Sequence, residues 1–213
     1  MLQNQTEEEF ADSRFQVLSE LTRLRQLCCD PALVYENYEG GSAKLDLCIE
    51  LIQSAVESGH KILLFSQFTS MIEILTARLQ EESISYFVLQ GSTKKEQRAQ
   101  MVEQFNRDDT SVFCISLKAG GTGLNLTGAD IVIHYDPWWN VAVENQATDR
   151  AHRIGQKNVV TVYKLIAKGT IEEKIIKLQQ MKKELAEEIL SGDEIKTASF
   201  QREELLELLE ERF

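Results

Sequence analysis

The chain has 213 residues, 43% hydrophobic and 27% charged, with only two prolines. That balance supports one buried core with appendages and excludes a Pro-rich disordered tract. No apolar run is long enough to cross a bilayer, and Met1 is followed by Leu-Gln-Asn-Gln-Thr-Glu-Glu-Glu rather than a basic and then apolar leader, so no membrane partner and a cytoplasmic location are expected. The net charge of −11 argues against a dedicated nucleic-acid binder, but the acidity sits at the ends. Residues 1–43 carry eight acids and three bases, residues 170–213 twelve and seven, and the middle fourteen and thirteen.

In chain order, residues 1–12 read as frayed. From Phe15, Leu18, Leu21, Leu24 and Cys28 recur at helical spacing until Asp30-Pro31. Glu39-Gly40-Gly41-Ser42 is a linker, and Ser42 is placed to cap a helix packing Leu45, Cys48, Ile49, Ile52 and Val56 up to Gly59. An α/β alternation follows. Strands are expected at 61–66, 85–90, 111–116, 130–135 and 159–166, with helices at 69–82, 94–106 and 143–154. Near-continuous apolar strands between helices predict a mostly parallel sheet covered on both faces, with function at the carboxyl ends of the strands. Beyond Lys168-Gly169-Thr170, Ile171, Ile175, Leu178, Met181, Leu185 and Ile189 form one narrow apolar stripe that needs a partner, in this domain or a neighbouring one. Gly192 breaks that stretch, and an acidic helix with Leu205, Leu206, Leu208 and Leu209 follows.

Residues 146–156 read Gln-Ala-Thr-Asp-Arg-Ala-His-Arg-Ile-Gly-Gln. On a helix, Gln146, Arg150 and Arg153 share one face. Guanidinium forks suit a transferring phosphoryl group, although a solvated basic face would read the same way. No segment reads G-x-x-x-x-G-K-[ST], so a triphosphate and its magnesium would need a site completed elsewhere. Leu117-Lys-Ala-Gly-Gly-Thr-Gly-Leu-Asn125 is not a dinucleotide fingerprint. Its glycines let amides approach a phosphate or ribose, or simply make a tight turn, and Lys118 suits a phosphate oxygen. Of the chain's two tryptophans, the adjacent Trp138 and Trp139, one is expected to pack and the other to face a partner or groove. His134 and His152 read as structural, Glu144 and Asp149 are too poorly spaced for a carboxylate pair, and the four cysteines read as small hydrophobes rather than zinc ligands.

Five segments taken together carry a resemblance: Ile62–Thr69, Gly91-Ser-Thr-Lys-Lys95, Ser116–Thr127, Asp136-Pro-Trp-Trp-Asn140 and Gln146–Gln156. In order, they resemble the second-lobe motifs of Swi/Snf-type DNA translocases, over residues 15–190. That family usually has Pro where this chain has Val141. The resemblance implies an α/β, RecA-like three-layer αβα lobe over residues 44–168, with an N-terminal tail and helix over 1–43 and brace and acidic helices over 169–213.

It further implies a partner, a first RecA-like lobe carrying the P-loop and the Asp-Glu pair that holds Mg2+, so that ATP is bound mainly there. Arg150 and Arg153 then reach the nucleotide across the cleft with Gln146 beside them, and Gly121, Gly123 and Asn125 face nucleotide. Ser66, Gln67, Gly91, Thr93, Ser116, Lys118, Gly120 and Trp139 face double-stranded DNA. The stretch from Ile171 is similar to the brace that crosses to the first lobe. The expected function is the second motor lobe of an ATP-dependent remodeller acting on a DNA-bound protein or RNA polymerase. The short span after Gly91 leaves no room for an added domain, as in a bacterial homologue. A chain without the first lobe is expected to be a C-terminal piece with negligible ATPase activity of its own. The alternatives are a non-catalytic α/β interaction domain and a nucleic-acid-binding module.

Overall fold

A computed structural model describes residues 7–117, 119, 124–151, 156 and 158–189. Its elements are α1 (Glu7–Cys29), α2 (Ala43–Glu57), β1 (Ile62–Ser66), α3 (Thr69–Glu81), β2 (Tyr86–Leu89), α4 (Lys95–Arg107), β3 (Val112–Ser116), β4 (Ile131–His134), α5 (Val141–Thr148), β5 (Thr161–Lys164) and α6 (Ile171–Ile189). The strands form one sheet in the order β2-β3-β1-β4-β5, and every neighbouring pair is parallel. No helix among the described residues is long and apolar enough to cross a membrane.

The layering follows from strand alternation, because successive side chains point to opposite faces. Ile62 and Leu64 join Cys114 and Ile133 under α2 and α3. Leu63 and Phe65 join Phe113 and Val132 under α4 and α5. The expected three-layer αβα lobe is therefore present. Strand β5 differs from the sequence reading: it is exposed at all four positions, as an edge strand can be.

Local chemistry sets the element boundaries. The Ser42 hydroxyl accepts from the Leu45 amide and caps α2. Gly59 takes the left-handed conformation at φ 79° just past that helix, where a glycine is favoured. Asp30 stops α1 and accepts from the Ala32 amide at the head of a 3-10 turn, Pro31–Leu33.

The stripe on α6 is only partly unpartnered. Ile171, Ile175 and Leu178 pack with Leu21 of α1, and Trp139 rests against the same cluster. Met181, further along, is 43% exposed. Lys44 reaches both Glu172 oxygens at 2.6 and 2.5 Å, and Glu172 also accepts from the Ala167 amide at 2.7 Å. Helices α1, α2 and the head of α6 are thereby joined beside the sheet.

Val141 is the first residue of α5, after Asn140, whose side chain caps the Ala142 amide and whose backbone is extended. Both features suit proline, which lacks the amide that goes unused at a first helical position. Val141→Pro should stabilise the chain by about 0.5 kcal/mol in urea unfolding. A loss of stability would show that the Val141 side chain or amide carries a contact of its own.

Candidate functional site

Four of the five segments singled out by the sequence lie at or just past the carboxyl ends of strands, as in other open parallel sheets, while the fifth, Gln146–Gln156, begins inside α5. Ser66 ends β1 and lies in register with Ser116, which ends β3, while Phe65 pairs with His134 at the end of β4. Gly91 lies just past β2, and Trp139 in the loop after β4.

The loop after β4 is the best-anchored part of this edge. Asp136 is buried. Its Oδ1 accepts from the Ser66 hydroxyl at 2.6 Å and the Gln67 amide at 3.1 Å, and its Oδ2 faces Arg25 Nη2 at 3.3 Å. The same Arg25 nitrogen donates to the Pro137 carbonyl at 2.9 Å and to Gln67 Oε1. The Arg25 guanidinium lies 5.2, 5.2 and 5.1 Å from the ring centroids of Phe68, Trp138 and Trp139, within cation–π range. Burial lowers the Arg25 pKa and raises that of Asp136, each opposed by the other's charge. The donors around Asp136 favour its charged form.

The backbone of the next residue is held from the other side. Glu144 Oε1 accepts from the Trp138 amide at 2.6 Å, while Gln179 of α6 donates to the Trp138 carbonyl and, at 3.1 Å, to Glu144. Lys164 of β5 neutralises Glu144 at 2.5 Å. Every polar group of a buried loop needs such a partner.

The expected site residues fare differently. Ser66 and Ser116 are buried, at 1% and 3% exposure, so they buttress the edge and present no side chain to solvent. Gln67 is half-buried and engaged by Arg25. Thr93 is half-buried; its hydroxyl accepts from the Gln90 amide, and its carbonyl, like those of Gln90 and Gly91, accepts from Arg98. Gly91, Asn125 and Gln146 are exposed, and Trp139 is half-buried. Lys118, Gly120, Gly121, Gly123 and Arg153 lie outside the described residues, as does His152.

The shared helical face expected for Gln146 and Arg150 is not seen. Helix α5 ends at Thr148 with Asp149 as its cap, and Arg150 follows in a turn, 2% exposed, while Gln146 stands in solvent. The Arg150 carbonyl accepts from the Leu126 amide at 3.0 Å. That bond fastens the arginine turn to the end of the glycine-rich loop, next to Asn125.

Sequence reasoning passed over Arg25, Lys164 and Gln179, and considered Glu144 only with Asp149. The signal for Arg25 was its spacing. It sits four residues from both Leu21 and Cys29, on the face of α1 that is buried, and a charge inside such a stripe requires a partner.

The helicase conserved C-terminal domain family matches residues 43–155. A solved Sulfolobus solfataricus SWI2/SNF2 ATPase C-terminal domain is 33% identical, with a TM-score of 0.70, over 91% of this chain and 81% of that one. The chain belongs to this family, as a Swi2/Snf2-type helicase C-terminal lobe. The S. solfataricus SWI2/SNF2 ATPase core in complex with double-stranded DNA is 36% identical, with a TM-score of 0.68, over 82% of this chain and 37% of that one. An uncharacterized ATP-dependent helicase of Mycoplasma pneumoniae is 45% identical over 202 residues, which is 93% of this chain and 19% of that protein. The lobe spans about a fifth of the curated relatives it first matches. Helices α1 and, on the other side, α6 fall outside the matched span.

His134 of the lobe is a core residue. It stacks on Phe65 at 5.5 Å between ring centroids, and its Nε2 lies 3.0 Å from the Thr148 hydroxyl. Burial lowers its pKa from 6.5 to about 4. The depressed folded-state pKa means that the unfolded chain binds the proton first. The resulting stability is complete above pH 6.5 and lost as pH falls towards 4. It amounts to about 3 kcal/mol at most. Urea midpoints of wild type and His134→Gln should therefore converge on acidification through this window; parallel profiles would show that His134 does not titrate there.

Proposed function

We propose that this lobe is the second motor lobe of an ATP-dependent double-stranded-DNA translocase that remodels protein–DNA complexes, with a DNA-bound protein such as RNA polymerase as its target. The observation that carries the reading is that four of its motifs meet at the carboxyl edge of the parallel sheet, with the arginine segment tied to the end of the glycine-rich one by the Leu126–Arg150 bond. The SWI2/SNF2 core described in complex with double-stranded DNA, similar to this chain over most of its length, supports the choice of polymer.

In this reading the first lobe brings ATP and Mg2+ on its P-loop, and the present lobe closes over them. Arg153 and Arg150 stabilise charge developing on the transferring phosphoryl group, Gln146 supports them, and Gly121, Gly123 and Asn125 face the nucleotide. The Leu126–Arg150 bond keeps these two segments together. Such groups act mainly in the transition state, where positioned cations matter most. Gln67, Gly91, Thr93, Lys118, Gly120 and Trp139 grip the DNA backbone, with Ser66 and Ser116 holding the edge behind them. Contacts to phosphate position a protein without reading sequence, which suits a motor that must move along any duplex. Without its first lobe the chain is inactive as an ATPase.

DNA-stimulated ATP hydrolysis should be measured with the first lobe in the same chain. Arg153→Ala should lower turnover roughly a hundredfold or more while nucleotide still binds. Arg150→Ala should lower turnover and also the thermal midpoint, because Arg150 is buried. Undiminished hydrolysis in both variants would remove the arginines from catalysis and leave a non-catalytic interaction or nucleic-acid-binding module.

A further inference from the structure

We infer that Arg25 of α1 and Gln179 of α6 are positioning residues for the DNA grip, holding Gln67 and Trp139 at a fixed separation across the sheet edge. The inference rests on the motor-lobe reading, in which those two residues meet DNA.

Gln67 follows β1 and Trp139 lies in the loop after β4. Their side chains meet at one group, the Arg25 guanidinium, which donates to Gln67 Oε1 and lies 5.1 Å from the Trp139 ring centroid. A guanidinium is planar and keeps its charge when buried, so it can accept an aromatic neighbour and a carbonyl in one fixed arrangement. Asp136 and the Pro137 carbonyl fix the guanidinium in turn. Gln179 pins the carbonyl of Trp138 from the opposite side, and Trp139 is the next residue along the chain.

The energetics favour a geometric role for Arg25 over a purely stabilising one. A buried ion pair adds little net stability compared with an apolar replacement of similar volume, because both charges must be desolvated. A long apolar side chain among Phe68, Trp138 and Trp139, with Asp136 made neutral as well, would fill the same space. It would leave the separation of Gln67 and Trp139 undetermined. Both positioning residues also lie outside the matched family span, on the two helices that pack against one another through Leu21, Ile175 and Leu178. Gln67 and Trp139 are therefore held through α1 and α6 together.

Two measurements test the assignment, using Arg25→Met, Gln179→Leu and Trp139→Ala. The chain's only tryptophans are Trp138 and Trp139, so acrylamide quenching of the 213-residue chain reports on this loop alone. Quenching should rise about twofold in Arg25→Met and Gln179→Leu, as the rings lose their restraint. In the motor with its first lobe, the concentration of a duplex giving half-maximal ATPase should rise roughly fivefold, while turnover at saturating duplex stays within about twofold of wild type. Gln179→Leu alone decides the matter if Arg25→Met does not fold.

If Trp139→Ala raises the half-saturating duplex concentration but the other two variants do not, the positioning role is overturned. A loss of turnover at unaltered half-saturation would overturn it as well, since a merely structural defect behaves that way. If Trp139→Ala itself leaves half-saturation unchanged, the DNA-grip reading fails, and the inference falls with it.

Discussion

The buried pair of Arg25 and Asp136 is the contact on which the working edge of this lobe depends. Asp136 receives the hydroxyl of Ser66 and the amide of Gln67, and so ties the end of β1 to the loop after β4. Arg25 supplies the opposite charge from α1, a helix distant in sequence, and occupies the space among three aromatic rings. Removing one partner of such a pair strands a charge in the core and typically costs about 3–5 kcal/mol. The neighbouring loop has no helix or strand of its own to satisfy its backbone, so these side chains do that work.

The rest of the edge is arranged around that point. Glu144 and Gln179 fix the two sides of the Trp138 peptide, and Lys164 balances the carboxylate that does so. Lys44 and Glu172 secure the head of α6, whose apolar face then covers α1 beside Trp139. The RecA-like sheet is thus flanked by helices that lie outside residues 43–155. Those helices restrain the loops that the motor-lobe reading assigns to DNA. The segments that the motor-lobe reading assigns to nucleotide are linked by a different contact, the Leu126–Arg150 bond.

Much of this was legible in the sequence, for physical reasons. Buried parallel strands read as continuous apolar runs, and β1, β3 and β4 fell within a residue of their expected bounds because each is buried throughout. The cap at Ser42 and the stop at Gly59 were equally local. The edge position of β5 was not, since Val159–Ile166 has the composition of a central strand and only the topology exposes it. Helix α5 stops at Thr148, and the Arg150 carbonyl beyond it accepts from Leu126, a tertiary contact that periodicity cannot anticipate. The segments of the candidate site were found from motif order, but the roles within them were not all visible. Ser66 and Ser116 turned out to be buried. Arg25 was hidden because a helical stripe is read by its apolar members, and Leu24, taken as one of them, is 44% exposed. Glu144 was set aside for its poor spacing from Asp149, yet its true partners come from β5 and α6.

The most direct test is a double-mutant cycle on Arg25 and Asp136, followed by urea unfolding of the chain. Arg25→Met and Asp136→Asn should each destabilise it strongly, and the double variant should be less destabilised than their sum by about 2 kcal/mol or more, because neither charge is then left alone in the core. Effects that add to within about 0.5 kcal/mol would contradict the account, showing that the two residues contribute independently and that the edge is held by other contacts.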